Sequence, residues 1–75
     1  MNLIRKISIG ADYKGSSMHY IVGQPVLNGQ YKIHLIDLDV NTDCYYIYIE
    51  RHDEVKMWKM FNKNMPVSIE YNIDF

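Results

Sequence analysis

Cys44, His19, His34 and His52 are the side chains of this 75-residue sequence best suited to ligating a transition metal or to nucleophilic catalysis. Their spacing contains neither a Cys-x-x-Cys nor a His-x-x-x-His pair, so no zinc site is expected. A Cys-His nucleophile pair would need Cys44 beside a histidine and an oxyanion hole, and the sequence offers only the residue types. His34 falls on the polar parity of its segment and His52 in a turn, so both read as solvated histidines. As the single cysteine, Cys44 can form no intramolecular disulfide. A lone thiol fits a reducing compartment, or simply a small buried apolar side chain, which is the reading favoured for it.

Two further patterns resemble ligand loops and fail on inspection. Asp37, Asp39, Asn41 and Asp43 recur at every second residue, like the oxygen ligands of a calcium loop. Such a loop needs glycine at its sixth position and glutamate at its twelfth, where this sequence has Thr42 and Tyr48. Lys14-Gly15-Ser16 has the residues of a phosphate-binding loop in the wrong order, since that loop ends Gly-Lys-Ser or Gly-Lys-Thr. No enzyme activity, cofactor or metal is therefore expected.

The aromatic surplus is the stronger signal: seven tyrosines, one tryptophan and two phenylalanines in so short a chain. In Cys44 to Arg51, Tyr45, Ile47 and Ile49 alternate with Tyr46, Tyr48 and Glu50, which leaves both faces of one strand adhesive. Either both faces are covered within the domain or one meets a partner, a role that tyrosine and tryptophan fill at low entropic cost. Tyr46, Tyr48 and Trp58 are the candidate interaction aromatics. Lys32, Arg51, Lys56 and Lys59 are the cations that would accompany them if the partner were a nucleic acid or nucleotide.

Period-two alternation dominates the elements that must position these residues. Leu3, Ile7 and Ile9 share a face opposite Lys6 and Ser8, with Arg5 interrupting it, and a loop is expected over Gly10 to Ser17. Asn28-Gly29, between Met18 to Leu27 and Gln30 to Val40, predicts a hairpin because both turn residues tolerate positive φ. Pro25 lacks an amide donor, which makes the first arm an edge strand or breaks it near Gly23. In the second arm Tyr31, Ile33 and Leu35 share one parity and Ile36, Leu38 and Val40 the other, the mark of a β-bulge at Leu35-Ile36. Turns follow at Asn41 to Asp43 and at His52 to Glu54. Val55, Trp58 and Phe61 at spacing three also fit a short helix near Glu54-Asn62, although a strand is favoured there. Val67, Ile69, Tyr71, Ile73 and Phe75 alternate with polar residues up to the last position, which predicts a strand paired within a sheet. The expected fold is a single all-β domain over 1–75, a five- to six-stranded antiparallel barrel or sandwich.

Composition bounds the function. Eight basic against nine acidic residues leave a net charge of −1, so no global field draws the chain to DNA or to an anionic membrane. No apolar run approaches the roughly 18 residues of a spanning helix, so a cytoplasmic, untargeted protein with no membrane partner is expected. At this length a monomer buries only about 60–65% of its unfolded surface. With no disulfide or metal to add stability, oligomerisation is the remaining route.

Arg5-Lys6-Ile7-Ser8-Ile9-Gly10, Met18-His19-Tyr20, Val22-Gly23-Gln24, Trp58-Lys59 and Ser68-Ile69-Glu70-Tyr71-Asn72 together resemble short uncharacterised proteins of the crAss-like tailed phages of gut Bacteroidetes. The resemblance implies a viral protein in the host cytoplasm or the virion, and no site residues. The function expected is a non-catalytic phage-type binding or assembly module, a homo-oligomer or a binder of another protein, acting through a sheet edge and an aromatic face. The alternative is a small nucleic-acid- or nucleotide-binding β-barrel.

Overall fold

The computed structural model describes residues 4–10 and 18–72. Most of the loop expected over Gly10 to Ser17, together with Leu3, Ile73 and Phe75, lies outside them. Seven antiparallel strands occur among the described residues: β1 (Ile4–Ile9), β2 (Met18–Ile21), β3 (Pro25–Val26), β4 (Tyr31–Asp39), β5 (Cys44–Arg51), β6 (Glu54–Asn62) and β7 (Pro66–Tyr71). They form a three-stranded sheet in the order β2-β1-β7 and a four-stranded sheet in the order β3-β4-β5-β6. The all-β expectation holds, and Glu54–Asn62 is strand, not helix.

The segment from Met18 to Leu27, read above as one hairpin arm, is two short strands in different sheets. The amide of Val22 donates to Arg5 O at 2.9 Å, and that of Gly23 donates to Ile33 O at 2.8 Å. Between those two residues the chain leaves one sheet and joins the other. Gly23 makes the corner at φ 92°, a conformation open to glycine because it has no Cβ. The hairpin itself forms at Asn28-Gly29, but its loop spans four residues. Leu27, Asn28 and Gly29 all take positive φ, at 53°, 60° and 81°, while Val26 pairs with Tyr31.

Ile7, Ile9 and Ile4 of β1, Tyr20 of β2, Ile33 and Ile36 of β4 and Tyr45, Ile47 and Ile49 of β5 make the core between the sheets. β-branched isoleucine suits this position because its restricted χ1 packs well on a pleated surface. The alternation of Tyr45, Ile47 and Ile49 is realised as expected, all three buried.

Four bulges correct the simple parities. On β1, Ile4 pairs with Tyr71 and Lys6 with Glu70. Arg5 is the extra residue, which is why Ile4 joins Ile7 in the core. On β4, Ile33 pairs with Ile49 and Leu35 with Tyr48. The parity switch therefore falls at His34, one residue before the expected position, and Leu35 turns outward, 40% exposed. On β6, Ile47 faces Lys59 and Tyr48 faces Met57, leaving Trp58 extra. On β7 the extra residue is Val67, between the Ser8↔Ser68 and Ile9↔Pro66 pairs. The even alternation expected there is broken, and Val67 and Tyr71 are exposed.

Candidate functional site

Directly opposed residues of an antiparallel pair share a face, so the ladder sorts the candidate residues into two groups. The outer face of the four-stranded sheet carries the rungs Leu35–Tyr48–Met57 and Asp37–Tyr46–Met60. Val55 lies one rung beyond, opposite Glu50. Leu35, Val55, Met57 and Met60 are exposed large hydrophobics, and Tyr46 and Tyr48 are half-buried among them. The sequence-level candidates Tyr46 and Tyr48 thus lie in a contiguous apolar stripe whose aliphatic half, Leu35 and the two methionines, was missed. Its signal, methionines at outward positions of a strand, was obscured by the bulge at Trp58.

Lys32 belongs to this outer face as well, at its edge. Its Nζ is 3.3 Å from Glu50 Oε1, and His34 Nδ1 donates to Glu50 Oε2 at 2.7 Å. Desolvation pushes the Glu50 carboxyl up, but the hydrogen bonds and charge of His34 and Lys32 outweigh it and hold the group below its ordinary value. The expectation of a purely solvated His34 is corrected to an exposed histidine held on Glu50. Cys44 is half-buried, not buried, with its Sγ 3.3 Å from Thr42 O.

The remaining candidates sit on the opposite, concave face. Lys59 is opposite the buried Ile47 and Lys56 opposite the buried Ile49. Arg51 continues the same parity two residues along β5. Each of these cations lies over an aromatic ring: Lys59 Nζ 4.8 Å from the Trp58 centroid, Lys56 Nζ 4.6 Å from that of Tyr31 and Arg51 Cζ 5.8 Å from the same ring. Among the described residues none of the three is within ion-pair distance of a carboxylate. Glu54, opposite Arg51 in register, stands beyond that distance. Tyr31 is the residue sequence reasoning missed here. Beside Arg51, an open cleft of about 750 Å³ lies between the β3–β4 loop and the β5–β6 turn, lined by residues that include Gly23, Asn28, Gly29, Lys32 and His52.

Tyr46 and Tyr48 therefore do not share a surface with Trp58, Arg51, Lys56 and Lys59. Among the described residues no group of three or more His, Cys, Asp or Glu side chains is placed to hold a metal, and no helix is long and apolar enough to cross a membrane.

Fold and surfaces together define a small, partly barrel-like antiparallel β-domain with an apolar stripe on its convex face and a row of cations at the rim of its concave, core-bearing one. Comparison of the chain with family models, with curated proteins and with solved structures found no match.

Proposed function

We propose that this chain is a small non-catalytic binding or assembly module that associates with a second copy of itself through the outer face of the four-stranded sheet. The observation that carries the reading is the outward stripe in which Leu35, Val55, Met57 and Met60 are exposed around the half-buried Tyr46 and Tyr48. Contiguous apolar patches on small domains mark interaction sites, whereas scattered exposed hydrophobics need no explanation.

A second copy is the occupant that fits best, because it would add the buried area that a chain of this length lacks. Three strands of eight or nine residues present roughly 30 by 14 Å, at the small end of specific interfaces, so the association is reversible. The face contributes more than the free β6 edge beside it. That edge is interrupted by the bulge at Trp58 and carries Lys56 and Lys59, devices that discourage edge-to-edge pairing. In line with the resemblance to short crAss-like phage proteins, the setting proposed is phage assembly or the infected host's cytoplasm.

Sedimentation over a concentration series tests this. A dimer is expected at micromolar to high-micromolar protein, and Met57→Glu is expected to shift it to monomer with an unchanged circular-dichroism spectrum. A wild-type chain that stays monomeric throughout, or a Met57→Glu dimer as strong as wild type, overturns the reading.

A further inference from the structure

We infer that the exposed rim of the concave face, outside the core that fills its centre, is a separate binding surface for the phosphodiester backbone of a single-stranded nucleic acid, with Arg51, Lys56 and Lys59 as its phosphate contacts. The inference does not rest on the dimer, since the residues involved lie on the opposite side of the sheet.

The first reason is that these three cations keep their charge available. The other lysines and arginines among the described residues, Arg5, Lys6, Lys32 and Lys63, each sit within 4 Å of a carboxylate. Arg51, Lys56 and Lys59 are instead held over the rings of Tyr31 and Trp58. A ring positions a cation through its quadrupole without cancelling its charge, so a row held this way still attracts an anion.

Spacing is the second reason. The rungs Ile47–Lys59 and Ile49–Lys56 follow one another at a two-residue step, or about 7 Å along the strand, and Arg51 stands one step further on β5 itself, opposite Glu54 of β6. That step is close to the separation of successive phosphates in an extended single strand. The bulge at Trp58 maintains the row: Lys56 and Lys59 are three residues apart, and a regular strand would put them on opposite faces.

The ligand is a strand tracked along its backbone, not a stack of bases. Tyr31 and Trp58 pack against the core and carry the cations, so neither ring is free to act as a stacking platform.

Fluorescence anisotropy with labelled oligo-dT and oligo-U at two salt concentrations tests the proposal. Three phosphate contacts predict a slope of log K against log salt of about −2, or a loss of roughly 15- to 20-fold between about 50 and 200 mM salt. Lys56→Gln with Lys59→Gln should weaken binding at least about tenfold and bring the slope to about −0.7. Lys56→Arg with Lys59→Arg should retain it. Lys6→Gln with Lys63→Gln, the same change in net charge at cations paired to Glu70 and Asp43, should alter it less than twofold. Similar affinity for both oligomers supports backbone recognition. No binding at about 50 mM salt, a salt-independent affinity, equal losses in both glutamine pairs, or full competition by a mononucleotide overturns it.

Discussion

Trp58 and Phe61 stand three residues apart on one strand, yet both rings pack on Tyr20, at centroid distances of 5.8 and 5.6 Å. Strict alternation would send one of them outward. The bulge at Trp58 brings both onto the concave side, where they join β6 to β2 of the other sheet. The same single-residue insertion turns Lys59 inward and Met57 and Met60 outward. One irregularity therefore completes the core, sets the cationic row and assembles the apolar stripe.

Trp58→Ala should cost about 2–4 kcal/mol in urea unfolding, as expected for truncating a large ring packed on the core. Tyr20→Phe keeps both ring contacts and loses only the weak hydroxyl contact to Met18 Sδ at 3.6 Å, so a cost below about 1 kcal/mol is expected. A Trp58→Ala midpoint within the range of ordinary surface substitutions would refute the aromatic link between the sheets.

The corner and the hairpin loop make opposite predictions. A Cβ at Gly23 would meet nothing within 4 Å, so Gly23→Ala tests backbone conformation alone and should destabilise by about 1–2 kcal/mol. Leu27 already bears that cost at φ 53°, with 46% of its surface exposed. Leu27→Gly should therefore raise the urea midpoint, and a fall in it would mean that the Leu27 side chain contributes more than its backbone loses.

Glu50 should make stability sensitive to acid. Its carboxyl is held below the ordinary value in the fold, so the folded state releases the proton more readily than the unfolded chain. The resulting stability is present at neutral pH and declines as pH falls through the ordinary carboxylate range towards the depressed folded value. Glu50→Gln should flatten this part of the pH–stability curve, measured as the urea midpoint between about pH 6 and pH 3. An unchanged slope would show that the His34–Glu50–Lys32 cluster does not act on folding.

Alkaline behaviour follows from two tyrosines. Burial pushes the Tyr20 hydroxyl up, and burial together with the neighbouring Tyr71 does the same for Tyr45. Each folded-state value lies above the unfolded one, so their stability is intact below about pH 10 and lost as pH rises through that region. Ultraviolet titration should show tyrosines ionising late, together with unfolding. Tyr20→Phe should shift that unfolding to higher pH.

Much of the sheet was legible because its signals are local. The alternation of Tyr45 to Glu50 requires only that one side of a strand be wetter than the other, and positive φ at Asn28 and Gly29 follows from residue type. His52, at φ 55°, turns the chain within the segment read as a turn, and positive φ is less costly for histidine than for bulky β-branched residues. The spacing of Val55, Trp58 and Phe61 left helix and strand open because a bulged strand imitates a three-residue period.

The candidate residues were legible by type, but their grouping into one surface is not what the ladder shows. Tyr46, Tyr48, Trp58, Lys32, Arg51, Lys56 and Lys59 were identifiable as aromatics and cations in strands, but which of them share a face depends on the parity shifts at His34 and Trp58. The β4 bulge showed in the sequence as a switch of apolar parity, placed one residue late, whereas on β6 the spacing of Val55, Trp58 and Phe61 also fitted a helix and so located no bulge. The position of a bulge follows from which apolar side chains the opposite sheet can bury, as Ile36, Phe61 and Ile4 show here. Sequence alone thus determined that this chain makes antiparallel strands with a surplus of aromatic surface. Only packing of the two sheets decided that the surplus divides into an apolar face and a cationic one, because burial at long range overrides the two-residue period.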